Sequence, residues 1–432
     1  MKILLKNCKT PDGLKDIFIE DEKIAGIQPS ENSSHEKGCD ECDQIIDIAG
    51  KLVIPGVIDP HVHVRDLGQC KKEDWTSVSK AALAGGVTTV FDMPNTIPAT
   101  VNLTNLNIKR VAAKKALVNY KFFLGATNSN LKELEEILSE HPIDIAGIKV
   151  FLAGSSNNDT VSYNDILKDI FRLAKKYDKI VTVHSELQTC LNEWRKRLPY
   201  DTVLKHNAIR NRQCSILGTK MVLELAEEIG NKLCIAHCST AEELELIRKF
   251  KMDNPVFCEV TPHHLLLSES ILESVGNFGK VNPPIRNKKD NKALWQAIHD
   301  GTIDFVGTDH APHIREDKLL KYSTAPSGFP GLETGLRLLL NEVNKGNLSI
   351  ERMIELTSKN AAEIFGLEKR GEIKVGNFAD LAVIDMGKVW TINAKEFYTK
   401  AKYSPFDGFE IKGKVEMTFV NGKMYNLNAD LR

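Results

Sequence analysis

The chain has 432 residues, of which 57 are basic and 58 acidic, giving a formal net charge of −1; 42% are hydrophobic. That length exceeds one small core and fits a large barrel with an accessory domain. The charge balance gives no electrostatic case for nucleic acid or an anionic membrane, and no apolar run approaches the roughly 20 residues that span a bilayer.

The N-terminal MKILLKNCKT has no long apolar core before a small-residue cleavage site, so it does not read as a signal peptide. Its ILL reads as a first strand. KILLKNC, DIFIE and KIAGIQ are short alternating runs separated by PDG and ED, a pattern of strands and turns. The polar stretch ENSSHEKGCDECD follows, with Cys39 and Cys42 as a lone C-x-x-C. It lacks a second pair at zinc-ribbon spacing, so a solvated loop is preferred over a structural metal or a redox pair. Nine cysteines without a secretory signal point to mostly reduced thiols and a cytoplasmic compartment.

From about residue 56 the texture changes. Short apolar runs (HVHVR, TTVFDM, VNYKFFLGA, IAGIKVFLA, IVTVHSE, KLCIAHCS, NPVFCEVTP, DFVGTDH) alternate with amphipathic stretches. In DILKDIFRLAKKY, Ile166, Leu167, Ile170, Phe171 and Leu173 mark one helical face. Strands alternating with helices imply parallel pairing, and about eight units imply a (β/α)8 barrel of the TIM type. The C-terminal GEIKVGNFADLAVID and GKVEMTFVNGKMY return to β-rich runs with Gly, Asn and Asp turns. The expected organisation is α/β: a barrel over 56–368 and a small β-sandwich domain composed of 1–55 plus 369–432. No solenoid repeat and no glycine-rich phosphate loop is present.

The chemistry lies where the apolar runs end. In an extended VIDPHVHVRD, alternation puts His61, His63 and Arg65 on one face. Lys149 lies inside IAGIKVFLA, His184 ends IVTVH, His237 ends LCIAH and Asp309 ends DFVGTD. In a barrel of this kind the C-terminal strand ends carry the active site. Buried ionisable groups are rare unless paired or bound to metal. The set therefore reads as a two-metal site, with divalent ions about 3.5–4 Å apart. An ammonium cannot ligate a cation, so Lys149 is read as a carbamate formed with CO2. The competing reading makes Lys149 a substrate-binding cation or a salt-bridge partner.

With these residues stand DMPNT, GIKVF, TVHSE, AHCS, CEVTPHHL, KVNPPIR, GTDHAPH and GFPGLET. In this order they resemble the cyclic amidohydrolase branch of the amidohydrolase superfamily, and within it the long-chain dihydroorotases. The resemblance covers the barrel end to end and implies a hydrolase with two zinc ions per chain. His61 and His63 would hold the first, His184 and His237 the second, with carbamylated Lys149 and a hydroxide bridging them. Asp309 would touch the first zinc and move protons. The implied substrate carries a carboxylate, met by Arg65 and Asn95, with further contacts from His63, Asn282 and His313 and from the backbone of Ser327 and Gly328. The implied reaction is the reversible cyclisation of N-carbamoyl-L-aspartate to (S)-dihydroorotate plus water, in pyrimidine biosynthesis. Allantoinases, hydantoinases and dihydropyrimidinases share the metal set and stand as the alternative. The implied partner is a small-molecule substrate; a homo-oligomer, or docking to an aspartate transcarbamoylase as in some relatives, stays open.

The sequence departs from that pattern in two places. Leu67 stands where relatives commonly have proline, and AIRNRQCS replaces a more usual Arg-Pro with a downstream Glu. On that ground Arg210 and Arg212 receive no role. His263, His264 and His310 are expected to serve as structural or supporting residues rather than ligands.

Overall fold

The computed structural model describes residues 1–30, 42–154, 160–161 and 165–427. Five strands precede the barrel: β1 (Lys2–Thr10), β2 (Gly13–Glu20), β3 (Lys23–Pro29), β4 (Gln44–Asp47) and β5 (Leu52–Pro55). Eight strands build the barrel: β6 (Val57–Val62), β7 (Val87–Asp92), β8 (Asn119–Gly125), β9 (Ile145–Phe151), β10 (Ile180–His184), β11 (Leu233–Ile235), β12 (Val256–Val260) and β13 (Phe305–Val306). Three more follow: β14 (Leu381–Thr391), β15 (Glu410–Val420) and β16 (Lys423–Asn426).

Both ends of the chain join in one sheet, ordered β16-β15-β14-β5-β1-β2-β3, with β4 paired to β1. The join is the antiparallel pair β14–β5, with Val383 opposite Val53. Alternation in these runs turns Ile3, Leu5, Ile17, Ile19, Val53, Leu381 and Phe419 into a common core. The β15–β16 hairpin turns on Asn421 and Gly422, both at positive φ (48° and 74°). That is the two-residue turn whose twist matches the flanking strands.

The barrel strands pair in parallel from β6 to β13. Val62 bridges His310, and the His63 amide donates to the His310 carbonyl at 2.8 Å, which brings the two ends of the barrel sheet together. The strands read as continuous apolar runs because helices cover them outside and side chains fill them inside. Helix Asp165–Lys176 buries Leu167, Ile170, Phe171 and Leu173, with Ile166 half-buried against the same core. Phe91, Phe123, Phe305 and Phe365 cluster inside with Ile58, Ile180 and Cys234. Among the described residues no helix is long and apolar enough to cross a membrane.

Cys190 and Cys214 form a disulfide, where the sequence suggested mostly reduced thiols; Cys8, Cys70, Cys234, Cys238 and Cys258 are free. The bridge is buried with Ala153 and Leu191. Cys39, of the C-x-x-C, lies outside the described residues.

Helix Arg212–Ile229 approaches the end of β10 unusually closely. A Cβ on Gly218 would lie 1.6 Å from the Ser185 carbonyl oxygen, while the neighbouring Thr219 hydroxyl donates to Ser185 Oγ at 2.9 Å. Gly218→Ala is expected to push the helix off the strand and destabilise the fold by about 1–3 kcal/mol. Urea unfolding measures it; an unchanged midpoint would contradict the close packing.

Candidate active site

The strand ends deliver their ionisable groups to one place. His61 Nδ1 lies 2.7 Å from Glu259 Oε1. A carboxylate only accepts, so Nδ1 carries the proton and Nε2 keeps its lone pair. His63 Nδ1 lies 2.6 Å from Asn95 Oδ1, which sets the same tautomer. Both free Nε2 atoms face Asp309 Oδ1, at 3.4 Å from His61 and 3.1 Å from His63. One ligand-type atom from each of the three residues falls within 4.8 Å of the others, and all three residues are buried. Burial, with the nearby Arg65 charge, lowers His63 to about 3, so its imidazole is neutral.

A second group adjoins the first. The His237 ring centroid lies 5.3 Å from that of His61, tilted, and 4.7 Å from that of His184, edge-on. His184 Nε2 is 2.9 Å from Glu186 Oε2, which fixes its proton there. His184 Nδ1 then turns its lone pair toward His237 Nε2, 3.0 Å away. Lys149 is fully buried, its Nζ has no hydrogen-bond partner among the described residues, and it lies 5.2 Å from the Phe151 ring. Burial lowers its pKa, because a buried ammonium is poorly solvated. The donor set of imidazole nitrogens and a carboxylate suits divalent zinc-like ions. An orphaned buried amine beside it suits a lysine that has become a carbamate, because a bare ammonium there is costly.

The expected substrate contacts lie on the loops that follow the strands. Arg65 adopts φ 65°, a left-handed conformation unusual for a long side chain. It is 1% exposed, and neither Nε nor Nη1 has a hydrogen-bond partner among the described residues. Asn95 Oδ1 is committed to His63, and Asn282 Oδ1 accepts from His206 Nε2 at 3.0 Å. His313 Nε2 donates to the Ser327 carbonyl at 3.0 Å, while its Nδ1 has no partner. The Gly328 N–H donates to the Lys280 carbonyl at 2.9 Å, and its carbonyl accepts from Lys318 Nζ. That amide is used to hold the loop.

Sequence reading missed three residues that orient the others. Glu259 holds His61 and also accepts the His237 amide at 3.0 Å; Glu186 holds His184. Both interrupt or end apolar runs, the signal already used for Lys149. The third is Arg210, to which no role was given. Its Nε reaches both oxygens of Glu186, at 3.1 and 3.0 Å. Arg212, by contrast, pairs with Glu242 and Asp290 away from these histidines. His264 hydrogen-bonds Thr261 and the Pro283 carbonyl, and His310 Nδ1 accepts the Gly331 amide.

Comparison with known proteins agrees with this architecture. The profile of the amidohydrolase family matches residues 52–425. A dihydroorotase of Methanosphaera stadtmanae is 35% identical, covering 99% of this chain and 97% of its own length. One from Pyrococcus horikoshii is also 35% identical, covering 98% and 90%. Among solved structures, the L-hydantoinase (dihydropyrimidinase) of Arthrobacter aurescens superposes with a TM-score of 0.91 at 30% identity, covering 98% of this chain and 95% of that one. Barrel, strand-end histidines and sequence likeness thus agree, and the chain belongs to the amidohydrolase family.

Proposed function

We propose that this chain is a cytoplasmic dihydroorotase, interconverting N-carbamoyl-L-aspartate and (S)-dihydroorotate plus water. The observation that carries this reading is Arg65: a buried guanidinium with Nε and Nη1 unpartnered, next to the histidine and aspartate cluster. A planar fork of that kind suits a carboxylate through two parallel hydrogen bonds. Dihydroorotate carries such a carboxylate beside its ring amide. The likeness to curated dihydroorotases over nearly the whole chain supports the same choice. A hydantoinase is the second reading, favoured by the structural superposition.

His61 and His63 would hold one divalent ion, His184 and His237 a second, with a carbamate on Lys149 joining them; the lysine amine adds CO2 and releases a proton. Ions held there would polarise the ring carbonyl and acidify the attacking water. Arg65 grips the substrate carboxylate and fixes the ring, so the scissile amide meets Asp309. Asn95 keeps the His63 tautomer. In hydrolysis, water adds to the ring carbonyl and Asp309 takes its proton. Asp309 then delivers that proton to the ring nitrogen as the C–N bond breaks. In ring closure the carbamoyl nitrogen forms the C–N bond, and protonated Asp309 assists the loss of water.

The decisive experiment assays dihydroorotate, allantoin, hydantoin and dihydrouracil in parallel. Turnover is expected with dihydroorotate, and preference for any of the other three rings would replace this reading. In the same assay Arg65→Lys should raise KM for dihydroorotate. Loss of a charge-assisted hydrogen bond costs about 1.5–3 kcal/mol, or about ten- to hundredfold, with metal content unchanged.

Asp309→Asn should keep the fold and lower kcat by about 10²–10⁴-fold, the usual scale of general acid–base loss. A variant within threefold of wild type would refute the proton-shuttle role.

Lys149→Ala should lose bound metal and activity together, measured by elemental analysis and turnover. A short carboxylic acid added to the variant should restore part of both, because it supplies the missing oxygens. A variant that keeps two ions and full activity would rule out the carbamate.

A further inference from the structure

His184 depends on a chain of buried contacts that does not end at its first partner. Glu186, which takes the His184 Nε2 proton, is fully buried. A carboxylate so placed needs a countercharge, and Arg210 provides it through a fork onto both oxygens. Arg210 Nη2 also approaches His184 Nε2 to 3.4 Å.

Arg210 sits outside regular structure, at the C-terminal end of the short helix His206–Ile209. Its amide donates to the His206 carbonyl and its carbonyl accepts from Arg286 Nη1, both at 2.8 Å. A further tie is the Cys190–Cys214 disulfide. Glu186 lies four residues before Cys190, and Arg210 four before Cys214. The bridge therefore fastens the stretch bearing the carboxylate to the stretch bearing its guanidinium. The Leu187 amide donates to the Cys214 carbonyl at 3.0 Å, beside the bridge.

We propose that Arg210 is the positioning residue for His184, and that the Cys190–Cys214 disulfide holds it in register. With the bridge closed, Arg210 fixes Glu186, Glu186 keeps the proton on His184 Nε2, and Nδ1 presents its lone pair beside His237 Nε2. Reduction by a dithiol delivers two electrons and two protons to the bridge. The Sγ–Sγ bond breaks, two thiols form and the reductant closes to its own disulfide. The loop bearing Arg210 then loses its covalent tie, and the hold on a divalent ion at His184 and His237 weakens. The inference rests on the two-metal reading of this site.

The test measures zinc affinity by competition with a chromophoric chelator, not turnover. Wild type, Arg210→Met, Arg210→Lys and the double variant Cys190→Ser/Cys214→Ser are compared. Wild type is also reduced, freed of dithiol without air, and then loaded. Arg210→Met should weaken one of two zinc affinities by about 10–100-fold, the usual effect of losing a partner that orients a ligand, and leave the other unchanged. Added guanidinium should restore part of it. Reduced wild type and the double serine variant should weaken the same affinity, and reduction should add nothing to Arg210→Met. Arg210→Lys, which keeps the charge and loses the fork, gives an intermediate loss and serves if the methionine variant does not fold. Wild type holding two zinc ions while both Arg210 variants hold them equally well overturns the inference alone. Equal further loss on reducing Arg210→Met would overturn the link to the disulfide. Wild type taking up no zinc overturns the two-metal reading, and the inference with it.

Discussion

A single carboxylate oxygen ties the two halves of the site together. Glu259 Oε1 accepts the Nδ1 proton of His61 at 2.7 Å and the backbone amide of His237 at 3.0 Å. The first contact decides which nitrogen of His61 is free. The second fixes where the loop after β11 leaves the barrel, at a residue whose φ is 38°. Such a left-handed residue persists only where its surroundings over-determine it. Remove that oxygen and one imidazole loses its tautomer while another loses its anchor. The arrangement is affordable because the carboxylate is itself buried and hydrogen-bonded rather than left bare.

The same logic recurs around the barrel mouth. Asn95 serves His63, Glu186 serves His184, and Arg210 serves Glu186. His61, His63 and His184 each have one nitrogen committed outward and one turned inward. The inner ring thus shares a chemistry that many ring-opening enzymes can use, while selectivity falls to the loops. Arg65 and His313 both stand on chain that has just left a strand, where small changes of backbone redirect a side chain without disturbing the core.

The fold was legible because its strands are apolar on both faces and its helices on one. His61, His63, Lys149, His184, His237 and Asp309 stood out for a related reason: an ionisable group in or at the end of an apolar run has few places to go but a site. Glu259, inside VFCEV, obeys the same rule and was passed over. Arg210 carries no such mark. It sits in a polar stretch, and its position depends on a disulfide between two of nine cysteines, which spacing alone cannot pair. The Gly328 amide bond to the Lys280 carbonyl was not legible, because a backbone donor looks alike in sequence whatever it faces. Local pattern reveals what must be buried, and tertiary closure decides what it touches.

The β5–β14 seam has a consequence for how the protein is made. β5 ends at Pro55, and the strand bearing His61 begins two residues later at Val57. Its antiparallel neighbour β14 begins only at Leu381. A ribosome releases the first strand nearly a whole chain before the second. Until then β5 presents an unpaired edge to whatever is nearby, and contacts this distant in sequence form late and slowly. The nascent barrel can gather its helices as they emerge, yet β5, the strand just before it, stays unsupported on one side until β14 has been made. That makes the interval before β14 emerges the time when this edge most needs a chaperone's cover.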